Sequence, residues 1–473
     1  MSAQAKGMDA TGATAQLARF AAGLDYDHVP ATVIARAKDC LIDALGCVVF
    51  GVTLPWTRML IDFVAQEGGN ARASIPGTRV TTSVSQAVLV GATAGHGFEM
   101  DDIHGPAHLH CGSLAVPVAL AIAEAEGKTD GRELLTAMVA GYEVGLRVGL
   151  AATGQLFMRG HHFQGTCGTF VAAATAARML RLDASQTQNA LGIAGSLGAG
   201  LMAAQEGAMS KRLHCGRAAE AGVQAAYLAQ RGFTGITNVL EAPYGGFLST
   251  LSGVPLWAEL TAGLAMPEAC QNSGTTWEML NVGFKPYATA ASVQSVLFAT
   301  DGLMRENSLT ADDIASVHIH CSTMAHRHCA WTYEPKGVTA AQMNMLFTAA
   351  MMIHDRAAMG AQFRADRLSD PAVLAIVGRI TVEPDTAYDA GGDHTRHAAR
   401  VAIRTRNGQM LTREIKDRPG SPKNPMTPQQ FEAKFASLVD GVLPAGRAGE
   451  IAATVRRIEE LGVGKLRTLL RAG

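Results

Sequence analysis

The sequence predicts a mainly α protein in which a large all-helical domain carries an inserted, smaller α+β lid domain. Three observations indicate this fold class. Apolar residues recur at three- and four-residue spacing through most of residues 1–270, as in packed helices. Alternating apolar and polar segments, typical of strands, appear between residues 314 and 416. The chain beyond residue 420 turns helical again, so we expect it to return to the first domain.

The helices of the first part are rich in Ala and Gly, and such small residues let helices approach closely. We therefore expect a compact bundle with several nearly all-apolar helices inside it. The predicted helices in this part are residues 31–51, 83–100, 131–152, 169–182 and 216–232.

In the second part, Asn407-Gly408 joins two alternating segments and predicts a hairpin. The predicted strands are residues 314–322, 379–385 and the two halves of 399–416, with a helical segment at 339–355. Helices follow at 425–439 and 448–462. The predicted domain bounds are 1–270 for the helical domain, 271–420 for the lid and 421–473 for the return.

Length and composition limit the possible partners. The 473 residues carry a net charge of -1 and no cluster of Lys or Arg, which argues against nucleic acid and against an anionic membrane. Eight cysteines lie singly, and neither a secretory segment nor a membrane-length apolar run is evident, so we expect a cytoplasmic protein. Because 48% of the residues are hydrophobic and only 17% are charged, we expect a homodimer formed through the helical domain.

Residues 95–124 form the most informative segment. Four histidines and three carboxylates precede an apolar run from Leu114 to Ile122, so they lie where a helix begins and its free N–H groups attract anions. Such side chains transfer protons, and their position suits a substrate that bears a carboxylate. They are His96, Glu99, Asp101, Asp102, His104, His108 and His110.

The histidines of this segment leave a metal site open as an alternative. His104, His108 and His110, with Asp101 or Asp102 completing the shell, would make a metal-dependent hydrolase. No HExxH motif or cysteine pair accompanies them, so we predict that the protein binds no metal.

The order and spacing of several segments resemble the MmgE/PrpD family, which includes 2-methylcitrate dehydratase, cis-aconitate decarboxylase and iminodisuccinate epimerase. The resemblance implies a helical domain with an inserted lid, a homodimer and chemistry without metal or organic cofactor. The segments that carry it are AKDCLIDALGCVVFG, the histidine-rich segment, GYEVGLRVG, GTCGTFVAAATAARML, LGIAGSLGAG, MSKRLHCGRAAEAGVQAAYLAQRGFTG, GFKPYATAASVQ and NPMTPQQFEAKF.

The resemblance assigns roles to single residues. His110 corresponds to the acid/base histidine and His162 to a second active-site histidine. Lys211 corresponds to a lysine that holds a substrate carboxylate, although a lysine that extends to solvent from a helix end is the alternative. Lys285 corresponds to a second anion-binding lysine.

Further residues are assigned to substrate binding. Glu99, Asp101 and Asp102 match the acidic stretch of the family, with His104 beside them, and Asp102 has helix N-capping as its alternative. Tyr333 matches a lid tyrosine. Gln164 would hydrogen-bond the substrate or form a turn.

The chain departs from the family pattern at six positions, which bear on substrate preference: Ile103, Phe163, Gln164, Thr289, Ala291 and Gln294. Other polar residues are interpreted as structural. His161 and His214 are expected to be packing histidines, and Arg212 and Arg217 to be ion-pair members. His318, His320, His326 and His328 are interpreted as the wet face of a sheet.

These features predict a cofactor-independent lyase, a dehydratase or decarboxylase that acts next to a carboxylate of a small di- or tricarboxylic acid. An epimerase or isomerase of an amino- or imino-dicarboxylate such as iminodisuccinate is the alternative. The metal-dependent hydrolase and a non-catalytic paralogue are further alternatives. The sequence leaves open the substrate, the outcome of the reaction, and which histidine is the acid.

Overall fold

The structure, a computed structural model, describes residues 12–264 and 275–472. The first part is helical, as predicted, and among its described residues it contains one short strand pair and one short strand that pairs with residues 282–283. Its helices are α1 Ala13–Gly23, α2 Ala31–Gly51, α3 Pro55–Glu67, α4 Val84–Gly95, α5 Gly112–Ala125, α6 Gly131–Met158, α7 Gly168–Met179, α8 Ala184–Leu197, α9 Ser210–Gln230 and α10 Phe247–Leu251.

The remaining helices are α11 Gln294–Glu306, α12 Thr323–Cys329, α13 Val338–Met343, α14 Met345–Asp355, α15 Pro371–Val377, α16 Pro428–Val439, α17 Arg447–Arg456 and α18 Ile458–Leu469. The strands are β1 Ala73–Ser74, β2 Thr81–Thr82, β3 Ile103–His104, β4 Val282–Gly283, β5 Ile314–Cys321, β6 Ile380–Pro384, β7 Ala399–Thr405 and β8 Met410–Ile415. The chain is therefore mainly α, which confirms the predicted class.

The largest sheet has four strands in the order β6-β5-β7-β8. β5 pairs with β6 in parallel and with β7 antiparallel, and β7 and β8 form the predicted hairpin. Gly408 has a φ of 89°, the left-handed conformation that this tight turn requires and that glycine adopts without a Cβ clash. Every strand predicted from alternation is present.

One predicted helix is divided in two. Asn344 has an extended backbone between α13 and α14, and its side chain accepts a hydrogen bond from Phe347 N–H. Its Nδ2 also donates to Trp331 O at 2.7 Å. Asn is a favoured N-cap because its side chain competes with the helical backbone for hydrogen bonds, so the helix restarts here.

Two hydrophobic cores lie side by side. The larger one is formed by α1–α9 together with side chains of α16, α17 and α18. The smaller one joins the four-stranded sheet to α11, α13, α14 and α15. The chain thus returns to the helical core after the sheet, while the bounds 1–270, 271–420 and 421–473 and the lid role of the middle part stay predictions.

One helix is more apolar than predicted from the sequence. α6 is long and apolar enough to cross a membrane by length and composition, contrary to the expectation that no run would reach this level. However, 94% of its apolar window is buried inside the fold, which is what the core helix of a bundle requires. Its backbone is also broken at Thr153, where φ is 55°.

The cysteines in the described residues form no disulfide. Seven of them are free and buried. Cys270, the eighth, lies outside the described residues. Burial raises the pKa of Cys111 well above its ordinary value, so this thiol stays protonated although it adjoins His110.

Candidate active site

The histidine-rich loop, residues 96–111, runs from the end of α4 to the start of α5 and is held from two sides. On one side β3 pairs antiparallel with β4, with Ile103 opposite Gly283. A Cβ on Gly283 would lie 2.2 Å from Gly420 O, so only glycine permits this approach of three backbone segments. The pairing places Lys285, two residues beyond β4, beside the loop.

On the other side the loop meets the start of α9. Gly216 allows the contact between α4 and α9, because a Cβ there would lie 2.1 Å from Thr93 Oγ1 and 2.4 Å from Leu89 O. The two residues at the start of α9, Lys211 and Arg212, are thereby buried against the loop.

Glu99 is the meeting point of three cations. Its Oε1 accepts from Lys211 Nζ at 2.5 Å and from Arg212 Nη1, and its Oε2 lies 3.4 Å from Lys285 Nζ. Burial alone would raise the pKa of Glu99, but Lys211, Lys285 and Arg212 together hold it well below the ordinary value. The left-handed φ of 57° at Glu99 is uncommon for a residue with a side chain, and such strain is often found at functional sites.

Asp101 is a second ionised carboxylate. Its Oδ2 lies 2.7 Å from His96 Nδ1, and its Oδ1 lies 3.2 Å from Lys285 Nζ and 3.4 Å from His110 Nδ1. Burial opposes its ionisation, but His110, Lys285 and His96 hold its pKa well below the ordinary value.

Asp102, the next residue, has a pKa that is shifted in the opposite direction. Its Oδ2 accepts from Tyr142 Oη at 2.7 Å, and its Oδ1 accepts from the N–H of Gly112, the first residue of α5, at 3.0 Å. Burial, followed by repulsion from Asp43, raises the pKa of Asp102 to about 8. Asp102 therefore occupies the helix N-terminus that the sequence suggested for the substrate.

His110 is held in one tautomer. Its Nδ1 lies 2.6 Å from the backbone oxygen of Asp102, and because a carbonyl only accepts, Nδ1 carries the proton. None of the described residues hydrogen-bonds its Nε2. Gln164 fixes the backbone from both sides, since Oε1 accepts from His110 N–H at 3.1 Å and Nε2 donates to His110 O at 2.7 Å. Burial lowers the pKa of His110 to about 3.

Four histidines form a row, of which His110 and His162 border the cavity described below and His96 and His214 lie behind it. His96 lies between His110 and His162, with ring centroids 5.1 and 5.7 Å away, and His162 Nδ1 lies 3.0 Å from His214 Nδ1. Burial followed by the charge of Lys211 lowers the pKa of both His162 and His214. The row therefore consists of neutral imidazoles, each of which has one nitrogen that donates a hydrogen bond and one that accepts a hydrogen bond or a proton.

Several of these groups border a small cavity of about 50 Å³. We call the side formed by Glu99, His110, His162 and Lys211 the loop wall, and the side formed by Ser292, His328 and Arg396 the far wall. The other lining residues are Ile103, His108, Phe157, Phe163, Met202, Ala290, Ala291 and Met343. Small-molecule sites usually measure roughly 300 Å³ or more, so this cavity is smaller than the usual site.

None of the three residues of the far wall was predicted from the sequence as a site residue. His328 lies on α12 and borders the cavity, so its interpretation as part of a wet sheet face is wrong. His318, in contrast, is exposed on β5 as expected. Arg396 stands alone before β7, and no spacing in the sequence marked it.

Several predicted site residues lie outside the cavity lining. His104 Nε2 lies 3.1 Å from Glu278 Oε2, and its Nδ1 accepts from Ala107 N–H. Tyr333 donates to Leu368 O and stacks on Phe347 at 4.3 Å between ring centroids.

Gln294, which departs from the family pattern, contacts protein groups that hold the local backbone. Its Nε2 donates to the backbone oxygens of Tyr287 and Thr289, which holds the turn that follows Lys285. Of the other departures, Ile103, Phe163 and Ala291 border the cavity directly.

The charges argue for an anion rather than a metal ion. His104, His108 and His110 do not converge, since His108 Nε2 contacts Asp393 at 2.9 Å while His104 contacts Glu278. His96, Asp101 and His110 do offer ligand atoms within 4.8 Å of one another. However, the Lys285 ammonium already contacts Asp101, and it would repel a second cation there.

This arrangement, with buried neutral histidines beside ammonium groups in one cavity, is typical of an enzyme that moves protons on a small anion. A model of the MmgE/PrpD N-terminal domain matches residues 15–259, and a model of the MmgE/PrpD C-terminal domain matches residues 287–460. The chain belongs to the MmgE/PrpD family.

Several curated relatives align with nearly the whole chain. Cis-aconitate decarboxylase of Aspergillus terreus is 29% identical, with 95% of this chain and 94% of that protein covered. A cis-aconitate decarboxylase-like protein of Aspergillus oryzae is 28% identical, with 94% of each covered. Human cis-aconitate decarboxylase is 25% identical, with 93% of this chain and 90% of that protein covered.

Proposed function

We propose that this lyase of the MmgE/PrpD family acts next to a carboxylate of a small di- or tricarboxylic acid and needs no cofactor. The observation that carries the proposal is the state of His110: its Nδ1–H donates to Asp102 O, which leaves the Nε2 lone pair available beside Lys211. A neutral imidazole next to an ammonium group is a base paired with an anion-binding cation.

Two lysines supply the positive charge that this chemistry needs. Lys211 borders the cavity, and Lys285 lies behind Glu99 and Asp101. A positive charge beside a substrate carboxylate stabilises the enediolate that develops when the neighbouring carbon loses a proton or a carboxylate. Burial lowers the pKa of Lys211, which also makes its ammonium a better proton donor.

In a dehydration, His110 Nε2 takes the proton from the carbon, the electron pair forms the double bond, and the hydroxide leaves with a proton from Lys211. In a decarboxylation, the bond to the departing carboxylate breaks, carbon dioxide leaves, and the remaining carbanion takes a proton from an acid in the cavity. His162 lies across the row from His110 and is the second group proposed to exchange protons.

The curated relatives favour decarboxylation, since those named above are cis-aconitate decarboxylases or like them. We therefore propose cis-aconitate as the first substrate to test. Ile103, Phe163 and Ala291 border the cavity where the family pattern differs, so a related acid with another substituent is the second choice.

The decisive experiment incubates the protein with cis-aconitate, 2-methylcitrate and iminodisuccinate and follows each by NMR. Loss of carbon dioxide identifies a decarboxylase, a new double bond with loss of hydroxyl identifies a dehydratase, and interconversion of isomers identifies an epimerase. His162→Asn and His161→Asn form a matched pair, because only His162 borders the cavity. Equal activity of the two variants would contradict the role of His162.

We further propose that the protein is a homodimer formed through the helical domain and that residues 271–420 act as a lid. A shallow groove of about 660 Å³ runs along α9 and the segment before it, and Leu197, Leu201 and Met209 are exposed in or beside it. Exposed apolar side chains of this size support a subunit contact. Light scattering at micromolar concentration should give the dimer mass, and Leu201→Glu should lower it; a monomer mass for the unmodified protein would refute the contact.

A further inference from the structure

Arg396 is a buried cation without a carboxylate partner. Only 5% of its surface is exposed, and the residue borders the cavity. Its Nε and Nη2 donate to Gly105 O at 3.3 and 3.0 Å, and its Nη1 lies 3.9 Å from Met324 Sδ. In the described part of the chain, no carboxylate oxygen lies within ion-pair distance of it.

Burying a guanidinium in this way is unfavourable unless an anion compensates it. Two other buried arginines have such a partner: Arg212 contacts Glu99, and Arg147 contacts Glu143. Arg418 resembles Arg396 in having only a backbone acceptor, Pro419 O, but it does not border the cavity. Among the described residues, Arg396 is therefore a buried cation at the cavity without an ion-pair partner, and Asp393 attracts it only from beyond ion-pair distance.

The two other residues of the far wall, Ser292 and His328, add hydrogen-bonding groups beside Arg396. Ser292 Oγ lies 3.0 Å from His328 Nδ1, and both residues border the cavity. Asp393 is the nearby carboxylate, but its Oδ1 contacts His108 Nε2 and its Oδ2 accepts from Gly154 N–H, both at 2.9 Å. A guanidinium with a hydroxyl and an imidazole beside it is well suited to bind a carboxylate.

The loop wall differs, because Lys211 there already contacts Glu99 at 2.5 Å. We propose that Arg396, together with His328 and Ser292, binds a second carboxylate of the substrate and makes the site selective for di- and tricarboxylates over monocarboxylates. The inference rests on the proposed function, in which Lys211 anchors the carboxylate next to the reacting carbon.

The test measures binding without turnover. Tricarballylate, a saturated tricarboxylate, and butyrate, a monocarboxylate, are titrated calorimetrically into the wild-type protein, Arg396→Gln and Arg396→Lys. Arg404→Gln is the matched control, since Arg404 is exposed on β7. We expect Arg396→Gln to weaken tricarballylate binding by about tenfold to 100-fold and to leave butyrate unchanged. Arg396→Lys, which keeps the charge, should bind tricarballylate with an affinity between those of the wild type and Arg396→Gln. Arg404→Gln should bind it as the wild type does.

Three results would overturn the subsite: no binding of tricarballylate to the wild type, wild-type affinity in Arg396→Gln, or an equal loss for both ligands. The last would mean that Arg396 only supports the loop through Gly105. If Arg396→Gln does not fold, His328→Gln carries the same test, because it keeps the cation and removes its neighbour. Selective tricarballylate binding without turnover of cis-aconitate, 2-methylcitrate or iminodisuccinate would refute the proposed reaction and leave the subsite standing.

Discussion

The two walls of the cavity balance charge in different ways. On the loop wall, Lys211, Arg212 and Lys285 all contact the ionised Glu99, so each of these cations has a carboxylate partner before any ligand arrives, while a net positive charge remains. On the far wall, Arg396 has only a backbone oxygen and a thioether as acceptors. The loop wall is thus organised in advance for chemistry, whereas the far wall is completed by an anion from outside.

The difference also separates the residues that hold the site from those that face the substrate. Gln164 and Asp102 do not border the cavity, but both bond His110 and so fix its position and tautomer. Side chains with perturbed pKa values are therefore found both inside and behind the cavity, and only geometry distinguishes the two groups.

The largest expected effect comes from the base on the loop wall. His110→Ala should lower kcat by roughly 10²- to 10⁴-fold with a smaller change in KM, because a proton acceptor acts mainly as the proton moves. Steady-state kinetics on the substrate identified by NMR checks this, with His161→Ala as the control histidine. Near-normal kcat in His110→Ala would refute its role and make His162 the first candidate for the acid/base.

Removing the anchor of the loop wall should have the next largest effect. Lys211→Ala should lower kcat/KM by about 100-fold, because the ammonium interacts with the carboxylate in the ground state and in the transition state. Glu99 would keep Arg212 and Lys285 as partners, so the variant should fold. A loss confined to kcat, with KM unchanged, would show that Lys211 donates a proton without anchoring the substrate.

The two walls also differ in how far their residues can be predicted from the sequence. Glu99 and His110 of the loop wall come from one contiguous segment, whereas His162 and Lys211 were assigned from the family resemblance. The strands and the hairpin follow from alternation and from Asn407-Gly408. The far wall is built from Ser292, His328 and Arg396, three residues more than thirty positions apart. Only the packing of α12 and the segment before β7 brings them to one cavity.

Local patterns also misjudge residues whose role depends on burial. His104 and His110 belong to one motif and share the same chemistry, but β3 directs His104 to Glu278 and leaves His110 at the cavity. Likewise, the neighbouring Asp101 and Asp102 have opposite pKa shifts. His110, Lys285 and His96 lower the pKa of Asp101 against the effect of burial, whereas burial and Asp43 raise the pKa of Asp102.

The raised pKa of Asp102 predicts how the stability of the protein depends on pH. Asp102 has a folded-state pKa of about 8, above its unfolded value, so its contribution is fully present below the unfolded pKa and is lost as pH rises from about 4 to 8. Asp102→Asn, which imitates the protonated acid, should lack this loss and gain stability relative to the wild type as pH rises. Urea unfolding at pH 5 and pH 8 measures the difference. If the free energies of unfolding of the wild type and Asp102→Asn differ by the same amount at pH 5 and at pH 8, the neutral state of Asp102 is contradicted.

The smallest effect on activity is expected at the other histidine of the motif. His104→Asn should leave kcat/KM within about threefold of the wild type while lowering the free energy of unfolding by about 1–3 kcal/mol, because Glu278 loses a buried hydrogen-bond partner. The asparagine oxygen can still accept from Ala107 N–H in place of Nδ1, so the loop should keep its course. Glu278→Gln serves as the matched variant from the other side of the contact, and the two should destabilise the protein similarly. A tenfold or greater loss of kcat/KM in His104→Asn at unchanged stability would place His104 in contact with the substrate and extend the loop wall beyond the cavity described above.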